Sequence, residues 1–186
     1  MAAPTPDRSR DSVGRVPAVT ILSPLRGAWA LWLRLTWPAA DRWPLVSRLV
    51  KRPLYALGFI DVAHWSLVRA ARPPQLLFVS NFNDDPLAYI DAFSLVVPGR
   101  IRGMWLGADG FPGPRPVSRF ESFIEEKWIP TSHLYCAYPE ASARMVLDAL
   151  AIREAHAALL GQAGSLSDEQ FAEAYRAFLA EVAGRL

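Results

Sequence analysis

The spacing of apolar residues along the chain changes near residue 59. Before that point, apolar side chains recur every three or four residues, as on one face of a helix, at Leu25, Ala28, Trp29, Trp32 and Leu35. After it, residues 60–69 alternate with a period of two, and residues 75–80 form a near-continuous apolar run of strand length. The change predicts a helical N-terminal part followed by a body that contains a β-sheet.

Two helices are predicted within residues 18–58. Ser23 suits the N-cap of the first helix because Pro24 then takes the first helical position, and Pro38 is expected to end it. A second helix is predicted over residues 41–52. Together they make an amphipathic helical hairpin, and the polar residues 1–17 before it are predicted to form a disordered lead.

The hairpin combines tryptophan on its apolar faces with basic residues on its polar faces. The residues expected to mediate association are Leu25, Trp29, Trp32, Arg26, Arg34, Arg48, Lys51 and Arg52. One interpretation is a flap that packs on its own domain or on another subunit; the other is an interfacial membrane anchor. Arginine with aromatic residues is also typical of single-strand nucleic-acid binding, but the acidic body makes nucleic acid an unlikely partner.

Charge is distributed unevenly between the two parts. The first 75 residues hold eleven of the 20 Lys and Arg residues but only four of the 18 Asp and Glu residues. Four of the seven tryptophans fall between Trp29 and Trp43. A basic, tryptophan-rich N-terminal part on an acidic body indicates two separate roles.

Neither a membrane-spanning helix nor a signal peptide is predicted at the N-terminus. Residues 18–37 are apolar and about long enough to span a bilayer, but Pro24, Arg26 and Arg34 interrupt them. Basic and apolar residues are interleaved, which is not the arrangement of a secretory signal. We therefore expect a cytoplasmic protein, with peripheral contact to the inner face of the membrane as an open alternative.

The cysteine and histidine content restricts the chemistry. The 186 residues suffice for one domain with its own hydrophobic core and an appendage. Cys136 is the single cysteine, so it forms no disulfide within the chain, and the three histidines are too few for a dedicated metal cage. No metal site is predicted, and no cofactor is specified.

The body is predicted to be an α+β domain over residues 59–186. Its expected layout is a four-stranded, largely antiparallel sheet with helices on one face, in a permuted ferredoxin-like order. The predicted elements are strands at residues 60–69, 75–80, 100–106 and 132–138, and helices at 86–97, 117–127, 139–161 and from 167 onward.

The second face of this sheet is expected to be open, and it would carry the candidate ligand-binding residues. These are His64, Trp105, His133 and Tyr135, together with Asn81 and Asn83 in the turn after the second strand. The two histidines with Tyr135 suit an acid–base pair or the binding of haem, although a lone strand histidine is commonly structural. The asparagines and their neighbouring aspartates provide too few oxygens for calcium and suit a turn and helix cap.

Four segments of the chain read LLFVSNFNDDPLAYIDAF (Leu76–Phe93), MWLGADGFPG (Met104–Gly113), PVSRFESFI (Pro116–Ile124) and HLYCAYPEAS (His133–Ser142). They resemble a family of uncharacterised bacterial proteins that is loosely associated with peroxidase- and catalase-related proteins. The shared features are an SNF sequence before an acidic turn, a Tyr and a Phe on the next helix, a Trp before GFP, and a Y-x-A-Y-P sequence. The resemblance implies a shared fold and specifies no activity.

Two function hypotheses follow from the sequence. The first is a small α+β module that associates with a partner protein, with itself or with a membrane surface through its basic hairpin. The alternative is a small-molecule-binding or haem-binding redox enzyme that uses the open face of the sheet. Whether the protein is an enzyme stays undecided at this level.

Overall fold

The structure is a computed structural model that describes residues 10–42, 58, 60–83 and 85–185, without the side chains of residues 39–41. The chain divides into two compact units, Met1–Glu140 and Ala141–Leu186. The described residues form an α+β fold with one four-stranded antiparallel sheet and six helices.

All four strands belong to the first unit. Their order across the sheet is β1-β2-β4-β3, and every neighbouring pair is antiparallel. The strands are β1 (Ser12–Val13), β2 (Val16–Pro24), β3 (Ile60–Val68) and β4 (Gln75–Phe82).

Strand β2 corrects the predictions for the N-terminus. It pairs along β4, with Ile21 opposite Phe78, where the sequence analysis placed a disordered lead and the start of a helical hairpin. β-Branched residues such as Val19 and Ile21 lose side-chain freedom in a helix and pack well on a pleated sheet, which explains the strand. The sheet is therefore completed by residues that precede the predicted body.

Helix α1 spans Gly27–Arg42, so it begins after Pro24 and continues through Pro38 rather than ending there. The side of α1 that faces the core carries Ala30 and Leu33. The predicted apolar face carried Ala28, Trp29, Trp32 and Leu35, so a different side of the helix is buried. The predicted second helix of the hairpin, with Arg48, Lys51 and Arg52, lies outside the described residues. The hairpin itself is not confirmed.

Two helices of the first unit confirm the sequence prediction. Helix α2 spans Pro86–Val96, and the Asp85 side chain caps it by accepting hydrogen bonds from the backbone N–H groups of Leu87 and Ala88 at 2.7 and 3.2 Å. Helix α4 spans Val117–Lys127. Sequence signals within each segment were therefore sufficient to predict both helices.

The third and fourth predicted strands are wrong. Residues 98–105 form helix α3 (Pro98–Trp105), because Val97, Ile101 and Trp105 are spaced by four residues and all bury on one side. Residues 132–138 contain no strand. The permuted ferredoxin-like order, which depended on these two strands, is not confirmed.

The second unit is a pair of helices, α5 (Ala143–Ala163) and α6 (Asp168–Val182), followed by a short 3₁₀ turn. Ser142 caps α5, and Ser167 forms a reciprocal capping box with Gln170 at the start of α6. Asp148 on α5 is 2.9 Å from the Arg144 guanidinium and 3.2 Å from that of Arg185.

The core of the first unit lies on the sheet face that carries Ile21, Phe78 and Trp65, against which the helices pack. Three aromatic residues of the segments quoted above, Tyr89, Phe93 and Trp105, lie in this core. Tyr89 stacks on Phe82 at 3.9 Å between ring centroids, and Trp105 packs edge to face with Phe78 at 5.3 Å. These residues therefore have a structural role here.

A buried hydrogen-bond chain connects α2 to the sheet. The Tyr89 hydroxyl donates to Ser80 Oγ at 2.7 Å, and Ser80 Oγ donates to the Val62 carbonyl at 2.8 Å. Burial raises the pKa of Tyr89, so the phenol stays neutral.

We expect Tyr89→Phe to lower the free energy of unfolding by about 1 kcal/mol, because Ser80 Oγ loses a donor while its bond to Val62 stays. The matched control is Tyr138→Phe at an exposed phenol, which should change stability by less than about 0.5 kcal/mol. Urea unfolding measures both. Equal effects of the two substitutions would show that the buried hydrogen bond contributes nothing.

Candidate functional site

The residues proposed for a ligand site on the open sheet face are not brought together. His64 on β3 is exposed opposite Val79, on the face away from the core, as predicted. Trp105 lies on α3 in the core, on the other side of the sheet. The prediction of a shared face for His64 and Trp105 is wrong because Trp105 belongs to a helix.

His133 and Tyr135 are exposed in an irregular segment rather than on a sheet strand, and Tyr135 is 81% exposed. No acid–base pair between His64 and His133 follows from this arrangement. The strand that would have placed them in register is absent from residues 132–138.

Asn81 and Asn83 have structural surroundings. Asn81 pairs with Ala18 and Val62 in the sheet. Asn83 is buried, and its Nδ2 donates to the Arg15 carbonyl at 3.3 Å, which attaches the end of β4 to the segment before β2. The turn thus stabilises the fold through Asn83 and caps α2 through Asp85.

A cleft beside α1 and α3 is an aromatic-lined concave feature of the first unit. It has a volume of about 260 Å³, near the lower end of the roughly 300–1,000 Å³ typical of small-molecule sites. We call it the tryptophan cleft; its lining residues are Trp32, Thr36, Trp37, Trp65, Phe93, Val97, Arg100, Ile101, Gly103, Met104 and Trp105. Its walls are almost entirely apolar, and Arg100 is the charged residue among them.

Helix α1 is positioned over this cleft by contacts at its first turns. The Arg26 N–H donates to the Gly107 carbonyl at 3.0 Å, and Trp29 Nε1 donates to the Met104 carbonyl at 3.4 Å. Trp29 also stacks on Trp32 with 4.5 Å between ring centroids. The stacked Trp32 side chain lines the cleft and is also partly exposed to solvent.

The outer side of α1 exposes large apolar side chains. Leu31 is 54% exposed, Trp32 43% and Leu35 66%. Adjoining exposed apolar side chains of this kind are typical of interaction surfaces.

Arginines surround these apolar residues. Arg26, Arg34 and Arg42 are exposed, and no ion pair involves them in the part of the chain that the structure describes. Arg42 follows Leu35 by seven residues and so lies on the same side of the helix. We refer to Leu31, Trp32, Leu35 and these three arginines as the α1 surface.

Of the residues predicted for association, Trp32, Arg26 and Arg34 belong to this surface. Leu25 is buried and Trp29 is half-buried, so neither is available to a partner. Leu31 and the cleft residues Trp65 and Arg100 were not among the site residues predicted from the sequence. The signal for Trp65 was present, since it alternates with the outward-facing His64.

Within the described residues, no helix is long and apolar enough to cross a membrane, and no group of three or more His, Cys, Asp and Glu side chains could hold a metal ion. The first unit is thus an α+β structure with an aromatic cleft beside a basic, apolar helix surface. The chain matches no family model, no curated protein and no solved structure.

Proposed function

We propose that the protein associates peripherally with anionic membranes through the α1 surface. The observation that carries this proposal is the outward exposure of Leu31, Trp32 and Leu35 on a helix whose opposite face is already buried in the core. Leu31 and Leu35 each have more than half of their surface exposed. Inserted at a bilayer interface, a fully buried leucine side chain gains about 1.5–3 kcal/mol.

The charges on the α1 surface favour an anionic lipid surface. Residues 26–40 contain Arg26 and Arg34 and no acidic residue, and Arg42 extends the basic surface at the end of the helix. Each basic residue near an anionic leaflet contributes about 1 kcal/mol. Tryptophan is enriched at membrane interfaces because its ring is apolar and its N–H is polar, which suits the half-exposed Trp32.

Co-sedimentation with vesicles tests this proposal. The full chain should pellet with phosphatidylserine-containing vesicles and only weakly with pure phosphatidylcholine vesicles. Replacing the three arginines by glutamine should weaken partitioning into anionic vesicles by about 3 kcal/mol, roughly a hundredfold. Added salt should weaken the wild type more than this variant, because screening acts on the arginines.

Leu31→Glu with Leu35→Glu should abolish pelleting by removing the inserted side chains and adding repulsion. The matched control is Leu87→Glu with Leu95→Glu, which changes two similarly exposed leucines on α2 and should leave pelleting intact. Equal pelleting of these two double variants contradicts the proposal. The wild type could instead fail to pellet with vesicles and form an oligomer that the Leu31/Leu35 double variant does not form. That result would show that the α1 surface mediates self-association.

A further inference from the structure

We infer that a second cavity of the first unit binds the phosphate group of a small, non-aromatic phosphate monoester, of which glycerol 3-phosphate is a simple probe. The cavity lies between helix α3 and the loop at residues 112–115, and its volume is about 400 Å³. Pro98, Gly99 and Arg102 line it from α3, and Arg115 lines it from the loop. We call it the arginine cavity. None of the described α1 residues lines it, so the site is distinct from the α1 surface.

The arginine cavity brings together two positive charges without a negative one. Arg102 and Arg115 are both exposed, and neither forms an ion pair within the part of the chain that the structure describes. The described residues that line the cavity include no Asp or Glu. Like charges repel, so an anion bound between the two guanidinium groups would remove an unfavourable interaction. The charge of the lining therefore favours an anionic ligand.

Two guanidinium groups on different walls favour a phosphate over a carboxylate. A guanidinium can donate two parallel hydrogen bonds to either anion. The two oxygens of a carboxylate lie in one plane, and a single guanidinium can engage both of them. A phosphate monoester has three terminal oxygens pointing in different directions and carries about two negative charges at pH 7, so it can accept hydrogen bonds from both arginines at once.

The rest of the lining restricts the molecule that carries the phosphate. Apart from the two arginines, the described lining consists of proline and glycine residues and holds no aromatic ring. A nucleotide base would find no ring to stack on there, whereas a glycerol or sugar group needs none. The volume of about 400 Å³ lies within the roughly 300–1,000 Å³ typical of small-molecule sites.

Both arginines are attached to backbone that is already held in place. Arg102 follows Ile101, whose side chain is buried in the core. Arg115 follows Gly113 and Pro114, which are both buried. Because the backbone on each side of the cavity is fixed before binding, a ligand would need to order little more than the two arginine side chains.

Isothermal titration calorimetry of the full chain with glycerol 3-phosphate tests the charge requirement. We expect one saturable site in the wild type, and Arg102→Gln and Arg115→Gln should each weaken binding by about tenfold or more. The matched control is Arg119→Gln, because Arg119 is also exposed and without an ion pair among the described residues but does not line the cavity. Lactate, a monocarboxylate of similar size, should bind the wild type about tenfold more weakly than glycerol 3-phosphate.

Gly99 offers a second test that leaves the charges unchanged. A Cβ added at Gly99 meets no atom within 4 Å, so Gly99→Leu should reduce the cavity while α3 is retained. Gly103→Leu is its matched control, since Gly103 lies on the same helix, also has open space around it, and does not line this cavity. Binding of glycerol 3-phosphate should weaken by about tenfold in Gly99→Leu and stay unchanged in Gly103→Leu.

The same phosphate chemistry also occurs in a lipid, because the headgroup of phosphatidic acid is a phosphate monoester. Vesicles that contain phosphatidic acid or phosphatidylserine at equal net charge distinguish the two sources. If the cavity takes the lipid headgroup, the wild type should prefer phosphatidic acid, and the double variant Arg102→Gln with Arg115→Gln should lose that preference. If the cavity takes a free ligand, only the calorimetric binding of glycerol 3-phosphate should depend on these arginines.

The inference would be overturned if the wild type neither binds glycerol 3-phosphate nor shows an arginine-dependent preference for phosphatidic acid. Equal binding by the Arg102, Arg115 and Arg119 variants, or by the Gly99 and Gly103 variants, would overturn it as well. Each of these results leaves the proposed membrane association intact if the wild type pellets with phosphatidylserine vesicles. Conversely, the Leu31/Leu35 double variant should still bind glycerol 3-phosphate.

Discussion

We expect a chain that begins at residue 59 to lose the cooperative unfolding of the first unit. Such a chain lacks β2 (Val16–Pro24), which pairs along β4 and contributes Val19 and Ile21 to the core. Without β2, one side of β4 has unpaired backbone groups and the core face of the sheet loses a strand of buried side chains. The sequence analysis predicted that residues 59–186 form their own domain, and the sheet order leads to the opposite expectation.

Tryptophan fluorescence during urea unfolding is the suitable measurement. All seven tryptophans lie in the first 140 residues, so the signal reports on the first unit and not on the α5–α6 pair. The full chain should give one sigmoidal transition and the shortened chain a gradual change. Ile21→Ala in the full chain should keep the transition but lower the free energy of unfolding by about 2–5 kcal/mol. A sharp fluorescence transition in the shortened chain would contradict this expectation.

Gly107→Ala should destabilise the first unit by about 1–3 kcal/mol or more. A Cβ added at Gly107 would overlap the Cβ and the indole of Trp29. A different rotamer of Trp29 cannot remove the overlap, because the position of its Cβ is fixed by the backbone of α1. The helix must therefore move away from Gly107, which also lengthens the Arg26 N–H bond to the Gly107 carbonyl.

Gly103→Ala is the control for this substitution. Its new methyl group meets nothing within 4 Å, and alanine is favoured over glycine in a helix, so stability should rise by about 0.5–1 kcal/mol. Thermal unfolding followed by tryptophan fluorescence compares the two variants. If Gly107→Ala unfolds at the same temperature as the wild type, α1 does not pack against this turn as described.

Local sequence signals predicted the elements that depend on their own residues. Alternation and an uninterrupted apolar run predicted β3 and β4, which the structure places at Ile60–Val68 and Gln75–Phe82. Asp85 before Pro86 predicted the start of α2, and Ser167 predicted the start of α6. A cap or a strand period is read from a few neighbouring residues, so no knowledge of the tertiary structure was needed.

Elements that depend on distant residues were not predictable in this way. Residues 100–106 form a short segment that begins with a polar–apolar alternation at Arg100, Ile101 and Arg102, which resembles a strand. They form a helix because Ile101 and Trp105 both reach the same core, and that core includes Phe78 and Phe120 from other segments. The strand at Val16–Pro24 likewise requires β4 as its partner.

The sequence indicated the candidate site only in part. Basic and aromatic residues near α1 are evident from composition, but which side of the helix is free depends on where Leu33 packs. The tryptophan cleft joins Trp32, Trp65 and Trp105 from three separate segments. No pattern within one segment reveals that they meet.

The position of β2 between β1 and β4 also affects the order of events during protein synthesis. β2 leaves the ribosome well before its partner strand, because Pro24 pairs with Gln75 and Ala18 with Asn81. β3 and β4 are joined by a short turn and can pair as soon as both emerge, whereas the apolar β2 waits unpaired. The apolar β2 segment of the nascent chain is therefore exposed until residues 75–82 have emerged, and we expect chaperones that bind apolar segments to raise the soluble yield.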